Sequence, residues 1–291
     1  MPDSDPAGRR RWALLRWASI IFTATGGGLA LWGFVIEPAL LLTRTTALSP
    51  RGFSGSDLRI AVLTDLHVGS PFHSLDKLDR IVDRTLSANP DLIVILGDLV
   101  IHGVLGGTFV PPEAIAQRLG RLEAERGVFA VLGNHDHWLD ARRVRRSLED
   151  QGIVVLEDSA AALSSGDPPV WIAGVSDFWE GPHDVAKALA TVPASASVLI
   201  ITHNPDIFPE VPPRVALTIA GHTHGGQVRV PFLGTPIVPS NYGERFASGH
   251  VVEGGRHLFV ATGTGTSMLP VRFRVPPTIS LLDLSDPDDG G

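Results

Sequence analysis

Five short motifs in this chain carry side chains able to hold a cation or move a proton. They are Asp65-Leu66-His67, Gly97-Asp98, Gly133-Asn134-His135-Asp136, Thr202-His203-Asn204 and Gly221-His222-Thr223-His224. Carboxylate, imidazole and amide groups are the oxygen and nitrogen donors that suit Mn, Fe, Zn and similar divalent ions. Each motif follows a short apolar run, and polar groups at buried strand ends are costly to desolvate unless something satisfies them. Coordination of a cation does so. Taken singly, Asp-x-His or Gly-Asp reads as a turn or a capped helix, and Gly-Asn-His-Asp as a tight loop. A lone His203 would be an ordinary core residue. The informative feature is the ordered set, each member behind its own apolar run.

The elements that must position these motifs alternate between strand and helix. Leu58–Leu63, Leu92–Leu96 and Val128–Leu132 read as strands. Ser74–Ala88, with Leu75, Leu78, Ile81, Val82 and Leu86 at helical spacing, reads as a helix closed by Asn89-Pro90. Glu113–Glu125 reads as another, and Asp140 can cap one running to Gln151. Further apolar runs lie at Ile153–Leu156, Val170–Ala173, Val198–Ile201, Val215–Ile219, His257–Ala261 and Ile279–Leu284. So many short runs predict an α/β fold with packed sheets and helices outside. In such folds ligands bind beyond the carboxyl ends of the strands, where motifs distant in sequence can converge. A loop is expected at residues 166–169.

The N-terminal stretch Trp17–Ile36 has no charged residue and is long enough to cross ~30 Å of hydrocarbon as a helix. Arg9, Arg10, Arg11 and Arg16 precede it, and a cationic flank stays in the cytoplasm, which places the chain beyond Ile36 on the outer side. Arg10-Arg11-Trp12-Ala13-Leu14 loosely resembles a twin-arginine export signal, and Gly26, Gly27 and Gly28 suit an export signal as well as a span. No small-x-small cleavage site comes after the run, so an uncleaved anchor is expected. The division predicted is residues 1–56 as basic segment, anchor or export signal (about 17–36) and linker, 57–284 as catalytic domain, and 285–291 as a disordered acidic tail. The expected location is the bacterial inner or cytoplasmic membrane, with the catalytic domain on the periplasmic or extracytoplasmic side.

At 291 residues the chain can bury one large core, but not two enzyme domains and an anchor. A net charge of −7 argues against a nucleic-acid-binding surface, which needs a dense basic face. There is no cysteine, so disulfides, thiolate ligands and a cysteine nucleophile are excluded.

The motif series resembles the calcineurin-like metallophosphoesterases, and within them a bacterial membrane-associated branch marked by Gly-His-Thr-His-Gly-Gly-Gln, here residues 221–227. The resemblance spans residues 57–284. It implies two packed mixed β-sheets flanked by helices, the four-layer metallophosphoesterase sandwich, behind an N-terminal transmembrane or signal-anchor helix. It also implies two divalent metal ions, with Asp65, His67 and His224 on the first, Asn134, His203 and His222 on the second, and Asp98 bridging. One carboxylate can serve two cations ~3.5–4 Å apart. His135 resembles the family's catalytic histidine, with Asp136 expected to orient its imidazole. The oxygen-bearing Asp65, Asp98 and Asn134 favour Mn, with Fe, Zn, Co or Ni also admissible.

The activity implied is metal-dependent hydrolysis of a phosphomonoester, phosphodiester or pyrophosphate, with hydroxide activated by the metals. The expected partners are a phosphorylated small-molecule or lipid substrate and the bacterial membrane. Some members of the branch resemble hydrolases of the UDP-2,3-diacylglucosamine pyrophosphate of lipid A synthesis, a reaction facing the cytoplasm. The rival readings are an idle metal-binding scaffold, which usually lacks ligands present here, and a metallo-β-lactamase-like hydrolase, whose His-x-His-x-Asp-His run is absent. His73, His102 and His137 are weaker candidates for the cleft. Arg142, Arg143, Arg145 and Arg146 read as a solvated basic face or a contact for anionic lipid or phosphate. Arg272 could meet a substrate phosphate or pair in the core.

Overall fold

The computed structural model describes residues 6–163 and 169–287. Most of the loop expected at 166–169 and the acidic tail from 288 onward lie outside the described residues. After helix α1 (Pro6–Leu31), a π-helical turn (Trp32–Ile36) and the short α2 (Glu37–Ala39), the chain enters β1 (Leu42–Leu48) and β2 (Leu58–Leu63). Next come helix α3 (Leu75–Ser87), β3 (Leu92–Ile95), α4 (Pro112–Leu119), β4 (Val128–Ala130), α5 (Asn134–Glu149) and β5 (Val154–Val155). These strands and the last one form a six-stranded sheet in the order β1-β12-β2-β3-β4-β5, where β12 is Thr278–Leu284. The second sheet, in the order β10-β11-β9-β8-β7-β6, comprises β6 (Ser159–Ala162), β7 (Trp171–Val175), β8 (Val198–Thr202), β9 (Leu217–Ala220), β10 (Gly249–Glu253) and β11 (Arg256–Val260). Helix α6 (Val185–Ala188) lies between β7 and β8 in sequence.

Both sheets are mixed. In the first, β2 to β5 are mutually parallel and β12 runs antiparallel to β2; in the second, β7, β8, β9 and β11 are parallel, with β6 and β10 antiparallel at the edges. The central parallel strands are mostly apolar, as strands covered on both faces must be, β3 being Leu-Ile-Val-Ile throughout. Alternate residues divide between two packing layers. Ile60, Val62 and Val94 of the first sheet meet Ile172, Leu199, Ile201 and Ile219 of the second. Ala61, Leu63, Ile93 and Ile95 face outward onto Leu78, Ile81 and Val82 of α3, Ile115 and Leu119 of α4 and Val144 and Leu148 of α5. The outer face of the second sheet, including Ile200 and Val260, packs on Val185, Ile207 and Phe208. Each fully buried side chain of this kind contributes about 1.5–3 kcal/mol. The expected layered α/β sandwich is thus present, behind an apolar helix.

One sequence expectation changes, and the Asp140 cap is met inside a longer helix. The stretch Glu37–Asp57, expected to be linker, contains β1, whose register with β12 runs from Leu42↔Thr278 to Leu48↔Leu284. Its Leu-Thr-Arg-Thr-Thr-Ala-Leu composition lacks a long apolar run because β1 is a largely exposed edge strand. The helix expected to begin at Asp140 is the second half of α5. Asp140 adopts extended backbone there, and its carboxylate accepts the Arg143 amide at 3.1 Å, capping a new segment.

The end of the apolar helix is fixed to this body. In the π-helical turn the Glu37 amide bonds back to the Trp32 carbonyl. The next carbonyl in that register, from Gly33, would face Pro38, which has no N–H. It accepts the Arg272 amide instead, at 2.9 Å. Buried Glu37 accepts the Val275 amide and the Trp32 indole, each at 2.6 Å, and Lys77 donates to the Pro38 carbonyl at 2.9 Å. The rest of the helix is exposed, with only 6% of its most apolar window buried.

Candidate metal centre

The C-terminal ends of β2, β3, β4, β8 and β9 deliver Asp65 and His67, Asp98, Asn134 and His135, His203, and His222 and His224 to one place. All are buried. Asp65, His67, Asp98 and His224 each offer a donor atom, and these four atoms lie within 4.8 Å of one another; Asp98, His203 and His222 form a second such group sharing the aspartate. His224 Nε2 is 3.3 Å from Asp65 Oδ1 and 3.1 Å from His67 Nε2. Asp98 Oδ2 is 3.5 Å from His67 Nε2 and 3.3 Å from His203 Nε2. His203 Nε2 also lies 3.2 Å from Asn134 Oδ1 and 3.0 Å from His222 Nδ1.

Hydrogen bonds behind these groups set which atoms face inward. His67 Nδ1 is 3.2 Å from the Val100 carbonyl and His203 Nδ1 2.6 Å from that of Leu96. A carbonyl only accepts, so each Nδ1 carries a proton and Nε2 is the inward-facing atom, a lone pair in neutral His67 and one that His203 presents once a cation replaces its second proton. Asp65 Oδ2 is taken by the Thr64 hydroxyl at 2.9 Å and the His222 amide at 3.1 Å, leaving Oδ1 without a hydrogen-bond partner. The inner surface is therefore a close-packed set of carboxylate oxygens and imidazole nitrogens that a divalent cation can satisfy together. Burial lowers His67 to about 3, against the pull of Asp98, and lowers His222 to about 3, so both are neutral and ready to coordinate. For His203 burial also works against the charge, but Asp98, by its charge and hydrogen bond, and then Asp65 and Asp177 outweigh it and push it up to about 10. The field of this site thus demands positive charge.

Backbone strain accompanies the convergence. Asp65 (φ 50°), His67 (φ 41°), Asp98 (φ 54°), His222 (φ 68°) and His224 (φ 52°) all sit in the left-handed region. Non-glycine residues there cost of order 1–3 kcal/mol each and gather at functional sites. Close approach is permitted by glycine: a Cβ on Gly133 would stand 2.3 Å from Asp98 Oδ1, and one on Gly221 2.0 Å from Thr64 Oγ1.

His135 lines a cavity of about 280 Å³ over this cluster, together with Trp138, Trp179, His222, Ile237 and Met268. Its Nε2 is 4.0 Å from Asp98 Oδ2, its Nδ1 has no partner, and burial lowers its pKa. The expectation that Asp136 orients this imidazole is corrected. Asp136 Oδ2 accepts the amides of Asp98 at 2.8 Å and Gly133 at 3.0 Å, and Oδ1 accepts that of Leu99 at 2.9 Å. Near the start of α5 its carboxylate is the right length to reach back to those amides, and it makes no hydrogen bond to the His135 ring.

The weaker candidates separate cleanly. His102 lines the cavity, edge-on to Trp138 at 5.6 Å. His73 is buried beside the Thr264 hydroxyl at 3.0 Å, and His137 lies 3.6 Å from Glu157. Arg143 pairs with Glu113, and Arg145 with Glu149 and Glu157. Arg272 is fully buried and donates to the carbonyls of Gly265, Val275 and Thr262, so it is a core brace and does not reach a substrate phosphate. Sequence reading missed Asp177, Trp179, Trp138, Ile237 and Met268. Asp177, at the end of β7, is the one with a signal, since it stands behind an apolar run as the other motifs do; burial raises its pKa and its Oδ1 has no partner.

A family model described as calcineurin-like phosphoesterase matches residues 58–226. Among curated proteins the chain is similar to an uncharacterized metallophosphoesterase, YkuE, of Bacillus subtilis, 30% identical over 267 residues, covering 89% of this chain and 91% of the relative. It is 29% identical to the phosphodiesterase YaeI of Escherichia coli, covering 79% and 83%. A transmembrane protein with a metallophosphoesterase domain from Danio rerio is 28% identical, covering 88% of this chain and 59% of that protein.

Proposed function

We propose a reaction from a plain premise: the chain belongs to the calcineurin-like phosphoesterase family and is a metal-dependent phosphoesterase. The proposal is that it cleaves a phosphomonoester, phosphodiester or pyrophosphate, lipid-linked in its natural form. The observation that carries it is the close-packed set of inward-facing carboxylate and imidazole groups around Asp98, opening on a cavity walled by Trp138, Trp179, Ile237 and Met268. In this reading Asp65, His67 and His224 hold one cation, Asn134, His203 and His222 the other, and Asp98 both, with Mn favoured. Cations held there would supply Lewis-acid polarisation of a phosphoryl oxygen and a water acidic enough to act as nucleophile near neutral pH.

The chain's own groups do the rest. Thr64 and the His222 amide fix Asp65, and the carbonyls of Val100 and Leu96 fix the tautomers of His67 and His203. Asp136 locks the Asp98 loop to the start of α5. His135, neutral because burial lowers it, lines the cavity and stabilises charge on the leaving oxygen by donating a hydrogen bond. The apolar cavity wall excludes water and suits an ester carrying a greasy group.

The membrane reading belongs to the same proposal: α1 spans the bilayer, Arg10, Arg11 and Arg16 stay in the cytoplasm, and the body from β1 onward lies outside. So does membership of the membrane-associated branch marked by residues 221–227. A cytoplasmic body would favour the UDP-diacylglucosamine pyrophosphate substrate instead.

The test is a panel of phosphomonoesters, phosphodiesters and pyrophosphates with added metals, comparing the parent with Asp98→Ala and His135→Ala. Asp98→Ala should lose both metal and activity, and His135→Ala activity alone. Their losses should not add in the double variant, because the groups act as a unit. Metal-free parent protein with full activity would overturn the reading.

A further inference from the structure

On the far side of the 224–226 turn from the metal cluster is a second, smaller pocket of about 90 Å³. It is lined by Arg44 of β1, Arg229 and Arg274, with Thr235, Ser248 and Thr262. Among the described residues none of the three guanidinium groups meets a carboxylate. Exposed Arg59, Arg121, Arg143 and Arg245 each do, while exposed Arg80, Arg142 and Arg146 do not; what distinguishes the three is that they line one pocket. Glu244, which approaches Thr235, is engaged by the Thr235 amide. A single arginine on β1 would be an ordinary guard against edge pairing. Arg229 and Arg274 lie outside the strands, and three converging unpaired cations repel one another unless an anion joins them. In a chain of net charge −7, such a cluster is not the by-product of a basic surface.

Its position in the fold says which anion. Arg44 stands only a few residues beyond the apolar helix. Arg274 lies between Arg272 and Val275, whose amides bond to Gly33 and Glu37 at the helix end. The Arg229 amide bonds to the Phe273 carbonyl at 2.9 Å, so its loop is tied to the same strip. That loop carries Phe232 and Leu233, 107% and 77% exposed, and the strip begins at Met268 and Leu269, 74% and 49% exposed. The Leu105 amide bonds to the Met268 carbonyl, adding another exposed apolar side chain to the rim. Apolar side chains beside unpaired arginines, grouped at the foot of an apolar helix, match the chemistry of a bilayer interface, where side chains enter the acyl boundary and cations meet phosphates.

We propose that Arg44, Arg229 and Arg274 form a binding pocket for the phosphate of an anionic lipid headgroup, seated where the body rests on the membrane. This rests on the membrane reading of α1 and not on the hydrolytic one. The lipid would hold the domain upright on the surface, with the Met268 rim of the catalytic cavity toward the bilayer.

The test uses the full chain in zwitterionic detergent. Bound lipid is counted by native mass spectrometry during titration with a short-chain phosphatidylglycerol, the matching phosphatidylcholine, or inorganic phosphate. Phosphatidylglycerol should bind in preference to phosphatidylcholine, with affinity falling as salt rises. The triple variant Arg44→Gln, Arg229→Gln, Arg274→Gln should bind it at least about tenfold more weakly. The triple lysine variant, which keeps the charge, should retain most of the binding, and Asp98→Ala should bind like the parent. Loss in Asp98→Ala with retention in the triple glutamine variant would place the headgroup at the metal centre and overturn the proposal. Equal affinity for free phosphate would overturn the lipid assignment, and indifference to headgroup charge the whole of it. Because no outcome is read through hydrolysis, an inactive enzyme leaves this test intact.

Discussion

The carboxylate of Asp136 holds Asp98 by its backbone: Oδ2 of the one accepts the amide of the other at 2.8 Å. Asp98 in turn accepts the His135 amide through Oδ1 at 2.9 Å, so the two loops clasp each other with opposite polarity. The aspartate that faces both halves of the metal cluster is thereby fixed on its main-chain side, while Oδ2 stays turned inward.

Asp136→Asn should therefore weaken metal binding while leaving the fold intact. An amide can present its NH₂ where an acceptor is needed, and loss of such supporting groups costs 10–100-fold in metal affinity or activity. Elemental analysis and hydrolysis rates across a metal titration measure this. Full occupancy at the parent's metal concentration would show that the clasp does not matter.

Gly221→Ala should destabilise the body by about 1–3 kcal/mol, the usual cost of overpacking. The new Cβ would fall 2.0 Å from Thr64 Oγ1, the hydroxyl that holds Asp65. Thermal unfolding reads the stability loss, and reduced metal content should accompany it; unchanged values in both would contradict the packing described.

Chelation should abolish activity and lower the melting temperature, and added Mn should restore both. A ligand at 100 times its dissociation constant stabilises by ~2.7 kcal/mol. Scanning calorimetry of chelated and reloaded protein checks it, and identical melting curves would argue against a cation at this cluster.

Stability should rise between pH 7 and 10 through Lys77. Burial first, then Arg272 and Arg80, lowers its ammonium from 10.5 to about 7 in the folded chain. Between those values the unfolded chain binds a proton that the folded one lacks, so each pH unit adds up to ~1.4 kcal/mol to unfolding. In Lys77→Met this contribution disappears. Denaturant unfolding of both proteins at pH 7 and pH 9 isolates it, and parallel pH dependences would reject it.

A reporter fused after Leu284 should be active only on the outer side of the membrane. Cytoplasmic activity would reverse the proposed orientation without touching the chemistry.

The sheet centres were legible because strands covered on both faces must be mostly apolar, as in Leu-Ile-Val-Ile at β3 or Val-Leu-Ile-Ile-Thr at β8. The edges were not. β1, β6 and β10 are half exposed, and their polar or small residues carry no such run. The residues that gather at the metal cluster could be picked out because each stands at the end of a buried strand. The role of Asp136 could not, since its partners are backbone amides that any residue type supplies. Nor could the cavity wall: Trp138 comes from α5 and Trp179 and Met268 from separate loops, with no shared spacing.

The pairing of β1 with β12 has a consequence for biosynthesis. Residues 42–48 emerge just behind the apolar helix, yet the strand they pair with ends at residue 284. Until residues 278–284 have left the ribosome, the segment next to the apolar helix has nothing to zip against, and β2 lacks its antiparallel neighbour. The first sheet therefore closes last on its β1 side, and a ribosome stalled before residue 278 would leave a half-finished edge for quality-control proteases.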